Sequence, residues 1–212
     1  MAKSEIPELL TEIADYYSAK LVEHGASAKG VDWNSEASQI LRFEQLTKLI
    51  RPTEGFSLND LGCGYGALCG YLRGRYSKFS YAGCDISAAM VAAAQARNHE
   101  ADNARFSVAS EPPEVADYGV ASGIFNVRLK RSDYEWRDYL EATLNIINRT
   151  SRIGFSFNCL TAYSDADKMS RDLYYADPCG LFDHCKQHYS RHVALLHDYG
   201  LYEFTILVRK EL

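Results

Sequence analysis

The chain has 212 residues, 47% apolar, 12% aromatic and 24% charged, a length that fits one domain and a composition that folds rather than staying disordered. A formal charge of −5 argues against a surface built to coat DNA or RNA. The stretch MAKSEIPELL lacks a basic start leading into an apolar core, and no run approaches ~18 consecutive apolar residues, so neither a signal peptide nor a membrane span is expected. The cysteines, Cys63, Cys69, Cys84, Cys159, Cys179 and Cys185, form no C-x-x-C pair and read as reduced thiols of a cytoplasmic protein. Cys179, His184, Cys185 and His188 hint at metal spacing, but their segment reads better as a helix, and no metal is expected.

In chain order, Ile6, Leu9, Leu10, Ile13, Tyr17 and Leu21 form a helical stripe over 5–24. A small, polar loop follows over 24–35, then a second helix from 34 or 35 to Ile50, stopped by Arg51-Pro52. FSLND (56–60) is a strand, and GCGYGALCGYLRGRYSK is a glycine turn running into a helix. FSYAGCD (79–85) is the second strand, and Ser87 caps an alanine-rich helix. ARFSVA (104–109) and DYGVASGIF (117–125) are strands three and four. Ser132 and Glu135 form a capping box before a helix striped by Trp136, Leu140, Leu144 and Ile147. RIGFSFNCL (152–160) is the fifth strand, residues 161–177 are a polar excursion, and a helix covers 178–190. HVALLHD and LYEFTILVRK close the chain as a hairpin split by Tyr199-Gly200.

Strand–helix alternation implies parallel strands joined by crossovers, while a short hairpin can only add an antiparallel strand. The expected fold is α/β and Rossmann-like: a seven-stranded, mostly parallel sheet with an antiparallel C-terminal hairpin strand and helices on both faces. One domain spans 1–212. Residues 1–34 form a helical cap or lid over a core of 35–212, which carries an insertion near 161–177.

The chemistry concentrates in Asn59-Asp60-Leu61-Gly62-Cys63-Gly64-Tyr65-Gly66, which follows a strand and opens a helix. Glycines there allow a sharp turn and bare backbone against a ligand, and helix amides add positive potential. Asp85 ends the next strand, where an acid accepts hydrogen bonds from both ribose hydroxyls. Together they describe an adenosine-containing ligand. The loop also satisfies the loose dinucleotide pattern with Gly62, Gly64 and Ala67, which keeps an NAD(P)-dependent oxidoreductase as an alternative. Asp60, two residues before the first glycine, would repel a pyrophosphate but suits a ligand carrying an amino group and a sulfonium.

NDLGCGYG, GCDIS, ADYGVASGIFN and HDYGLYEFTILVRK resemble the class I S-adenosylmethionine-dependent methyltransferases over residues 35–210. The resemblance implies S-adenosyl-L-methionine as cofactor. Gly62, Cys63, Gly64 and Gly66 would meet its methionine part, Asp85 its ribose and Ile86 its adenine. Ser110 stands where the family often has an Asp beside the adenine amine, with Glu111 next. Residues 121–126, including Gly123, would face the methyl group. A relative that binds the nucleotide without turnover is a further alternative.

Arg42, on the helix before the first strand, either pairs with the cofactor carboxylate or is a solvated helix arginine. If the acceptor needs a general base, His24, His184, His197 and Asp198 are candidates, and each also serves in packing or capping. Phe125 and Asn126 are expected to form one wall of the acceptor site. Tyr17, Trp33, Tyr174 and Tyr175 are expected to form the other. Aromatic walls suit a small-molecule acceptor, such as a carbohydrate or natural-product intermediate, better than a nucleic acid, because no basic groove accompanies them.

Overall fold

The computed structural model describes residues 5–51 and 55–210, with side chains from Glu8 onward. The first helix, α1 (Glu5–His24), leads through a short 3-10 turn at Lys29–Val31 into α2 (Glu36–Thr47). Ser35 caps α2 in a reciprocal box with Ser38. Then come β1 (Phe56–Leu61), α3 (Ala67–Arg73), β2 (Phe79–Asp85), α4 (Ala88–Arg97), β3 (Ala104–Val108) and β4 (Ala116–Ala121). Ser87 accepts the Met90 amide at the start of α4, and the Ser132–Glu135 box opens α5 (Asp133–Arg149). The remainder is β5 (Ser151–Thr161), β6 (Tyr175–Ala176), α6 (Pro178–His188), β7 (His192–Leu196) and β8 (Glu203–Arg209).

The strands run β3-β2-β1-β4-β5-β8-β7, with two-residue β6 attached to β5. β1 to β5 pair in parallel, and β8 is antiparallel to both neighbours, so the expected seven strands and single reversal are present. Strand order reverses between β1 and β4, which opens a crevice at their carboxyl ends. One apolar cluster packs α1, α5 and α6 against one side of the sheet, through Leu9, Trp136, Phe155, Phe157, Leu181 and Ile206. A second packs α2 and α3 on the other, through Phe43, Leu46, Leu58, Leu72 and Leu207.

Two local readings change. The fourth strand does not reach Phe125. It stops at Ala121 because Gly123, at φ 78°, turns the chain away. The excursion at 161–177 also carries sheet pairing, since Tyr175 and Ala176 pair with Leu160 and Thr161, and Leu173 bridges Val127. No helix among the described residues is long and apolar enough to cross a membrane.

Candidate active site

The crevice is built from the ends of β1, β2 and β4. Leu61 passes into Gly62 at φ 73°, where a Cβ would fall 2.1 Å from Ile124 Cγ2, so only glycine fits. The Gly62 and Cys63 amides donate to the Cys84 carbonyl at 2.8 and 3.1 Å, fastening the loop to β2. The Gly64 amide donates to Asp85 Oδ2 and the Ser87 amide to Asp85 Oδ1, each at 2.9 Å. Asp85 thus holds the loop, starts α4 and lines the crevice. Burial raises its pKa, and hydrogen bonds from the Ser87, Gly64 and Ile86 amides only partly offset the rise.

Two cavities meet at this loop. The larger encloses about 1040 Å³ of space, open water included, between the strand ends and α1. Gly62, Gly64 and Asp85 form its floor, and Leu10, Ile13 and Tyr17 its roof. Ile86, Met90, Ala109, Ser110 and Ile124 form a mostly apolar slot, continued by Ala142, Thr143 and Ile146 of α5. Trp33, Val31, Ser122, Gly123 and Tyr139 complete the walls. The smaller cavity, about 320 Å³, lies between α2 and the loop and is lined by Gln39, Asp60, Cys63, Tyr65 and Ser122, among others.

Two residues lining the small cavity, Asp60 and Ser122, each carry a buried oxygen with no partner among the described residues, Asp60 Oδ1 and Ser122 Oγ. The other Asp60 oxygen accepts the Tyr81 hydroxyl. Burial drives the Asp60 pKa up to about 7, with Asp85 adding to the rise and the Tyr81 hydrogen bond opposing it. Tyr65 donates to Gln39 Oε1 at 2.7 Å, which leaves the Gln39 amide nitrogen turned away from that bond. Burial holds the Tyr17 phenol well above the usual range, so it stays protonated at neutral pH.

Residues 59–154 match a family described as a methyltransferase domain. A Mycobacterium tuberculosis (strain ATCC 25618 / H37Rv) protein named "Putative methyltransferase Rv1506c" is 61% identical over 163 residues, covering 77% of this chain and 98% of that one. The chain belongs to the class I S-adenosylmethionine-dependent methyltransferases. Solved structures share the fold. DhpI in complex with SAH aligns at TM-score 0.67 and 18% identity over 95% of this chain and 96% of its own. The magnesium protoporphyrin IX methyltransferase of Synechocystis PCC 6803, with bound SAM, aligns at TM-score 0.56 and 14% identity over 82% and 77%. Nothing in these comparisons supports an oxidoreductase.

The crevice of this methyltransferase suits its cofactor chemically. An ammonium group would satisfy the two orphaned oxygens of Asp60 and Ser122, whose burial without a partner is costly. The apolar lining of Ile86, Met90, Ala109 and Ile124 would suit a purine, and the Asp85 carboxylate could accept from hydroxyl donors.

Of the residues expected at the site, Asp60, Gly62, Cys63, Gly64, Asp85, Ile86, Ser110, Gly123, Tyr17 and Trp33 line one cavity or the other. Gly66 does not. Its α-carbon packs against Asn98 and Ala94, so it serves the contact between the loop and α4. Arg42 is neither solvated nor in a cavity, because its guanidinium is consumed by Glu203. Phe125 is fully buried among Phe157, Trp136 and Tyr139, since the Gly123 turn sends it into the core. Asn126 is occupied in bracing the backbone, accepting from the Leu160 amide with Oδ1 and from the Tyr174 amide with its carbonyl. Tyr174 packs on the core from outside, and Tyr175 accepts the Ser170 amide.

The histidines stand elsewhere. His24 ends α1 beside Glu23, His184 stacks on His188 along α6, and His197 lies exposed on the β7–β8 turn with Asp198. The sequence reading missed Gln39, Tyr139 and the Ala142–Thr143–Ile146 face. The α5 residues follow the same helical spacing as core residues, so no local signal separates them. Ser122, part of the 121–126 stretch expected at the site, lines both cavities.

Proposed function

We propose that this methyltransferase acts on a small organic acceptor, with residues 1–34 capping the site and the cytoplasm as its setting. The observation that carries this reading is the roof. Leu10, Ile13 and Tyr17 lie across the crevice from above, with Trp33 and Val31 at the side, so the acceptor must fit beneath a helix. When bound, S-adenosylmethionine supplies an electrophilic methyl group on a sulfonium. Asp85 would take the ribose hydroxyls, and Asp60 with Ser122 would take the ammonium. Ile86, Ala109 and Ile124 would hold the adenine, and Ser110 would offer it a hydroxyl. Tyr17 and Trp33 orient the acceptor and keep water out. Among the described residues no histidine lines either cavity, so in this reading proximity and alignment supply the rate.

The test is transfer of labelled methyl to a fractionated cell extract. Label should enter the low-molecular-mass fraction. Label confined to RNA or protein would overturn the small-molecule reading and leave the methyltransferase assignment standing.

A further inference from the structure

Arg42 and Glu203 form a deeply buried ion pair that touches neither cavity, their side chains being 6% and 1% exposed. Arg42 Nε lies 2.9 and 2.8 Å from the two Glu203 oxygens, and Nη2 lies 2.5 Å from Oε1. Its Nη1 donates to the Ser38 carbonyl at 2.7 Å, which fixes it on α2. Burying such a pair brings little net stability, since well-packed apolar residues of similar volume often do as well or better. The pair therefore calls for another explanation, and two arms reach from it to one point of the active-site wall.

The first arm runs through β5. Asn158 Nδ2 donates to Glu203 Oε2 at 2.5 Å, and Asn158 Oδ1 accepts the Gly123 amide at 2.8 Å. The second arm runs through the loop before α2. The Arg42 guanidinium lies on the Trp33 ring, 3.9 Å from its centroid. The far edge of that ring stands over Gly123, where an added Cβ would meet Trp33 Cζ2 at 2.3 Å. Gly123 is thus held by its amide from one side and by the indole on the other, and both holds begin at the same ion pair.

We propose that Arg42, Glu203 and Asn158 are positioning residues that set Gly123 and Trp33 jointly, and with them the wall against which the cofactor is seated. This rests on the methyltransferase reading. It assigns Arg42 a role in the reaction through Trp33 and Gly123 rather than through any contact with the cofactor.

The test uses S-adenosylhomocysteine binding, followed by calorimetry and by tryptophan emission. A Trp33→Phe variant identifies the part of the emission that belongs to Trp33. The paired replacement Arg42→Met with Glu203→Leu avoids stranding a single buried charge. It should melt near the wild-type temperature, bind S-adenosylhomocysteine at least tenfold more weakly and lose the Trp33 emission change. Adding Trp33→Phe to it should cost less affinity than the same change costs the wild type, because the two act together. If the paired replacement does not fold, Asn158→Ser leaves the ion pair intact and cuts one arm, and it should still weaken binding severalfold. A folded variant with wild-type affinity and an unchanged Trp33 response would overturn the proposal alone. Failure of the wild type to bind would overturn the methyltransferase reading, and this proposal with it.

Discussion

Asp60 and Asp85 end neighbouring parallel strands, yet their surroundings give them different work. Asp85 is bonded to the Gly64 and Ser87 amides and borders the large cavity, so its charge is supported and partly open to a ligand. Asp60 lines the small cavity and has one oxygen on Tyr81 and one with no partner among the described residues. Charge-assisted hydrogen bonds from two ribose hydroxyls to Asp85 would be worth ~1.5–3 kcal/mol each. Asp85→Ala, which removes both, should therefore weaken S-adenosylhomocysteine binding by about a hundredfold or more, measured by calorimetry. Because Asp85 also ties the loop to α4, the variant should lose some melting temperature as well. Undiminished affinity in a folded variant would reduce Asp85 to a structural cap. Arg42 teaches the converse. An arginine beside a glycine loop looks like an anion receptor in sequence, but a glutamate 161 positions away along the chain claims it first.

At the scale of elements, much of the fold was legible because its signals are local. The glycine turn, the serine caps before α4 and α5, and the alternation of short apolar strands with helical stripes all lie within a few residues of what they determine. What a side chain faces is settled by distant partners instead. Phe125 and Ile124 are adjacent and both apolar, yet one enters the core and the other lines the cavity, according to the turn at Gly123. The first helix shows both behaviours. Leu9 and Ile13 belong to the core, at 0% and 6% exposure, so removing residues 1–30 should cause aggregation rather than leave a tidy sheet. Its second half is held over the cavity by polar ties. Tyr16 donates to Asp32 at 2.5 Å, Lys20 pairs with Asp32 at 3.0 Å, and Ser18 meets Ser87 at 2.8 Å. Partly exposed ties of this kind are individually modest, which suits the lid role proposed for α1. Tyr16→Phe combined with Lys20→Ala should speed release of S-adenosylhomocysteine in stopped-flow measurements and shift the melting temperature by only a few degrees. Unaltered release would make α1 a fixed roof.

For the whole molecule, the orphaned Asp60 oxygen links proton uptake, folding and cofactor binding. The Asp60 pKa rises from 3.8 to about 7 on folding, chiefly through burial. Between those values the folded chain holds a proton that the unfolded chain has released, and stability falls with pH wherever the native state binds more protons. The contribution of Asp60 is therefore complete below its unfolded pKa and is lost as pH rises through about 7. Other carboxylates slope the opposite way, Asp117 among them, its pKa being lowered by the Ser57 amide and Arg152 against the opposing effect of burial. The clean measurement is thus a difference. Wild type minus Asp60→Asn, followed by chemical denaturation from pH 4 to pH 8, should show wild-type stability declining relative to the variant. Cofactor binding should run against that decline. An ammonium group placed on Asp60 favours the charged carboxylate, so binding should release a proton near neutral pH and tighten as pH rises through about 7. In Asp60→Asn both the pH slope of affinity and the released proton should vanish, while the Asp85 contacts keep weaker binding measurable. Calorimetry in two buffers of different ionisation enthalpy counts that proton directly. A wild-type affinity flat from pH 6 to pH 8, with no proton released, would mean that the ammonium does not reach Asp60.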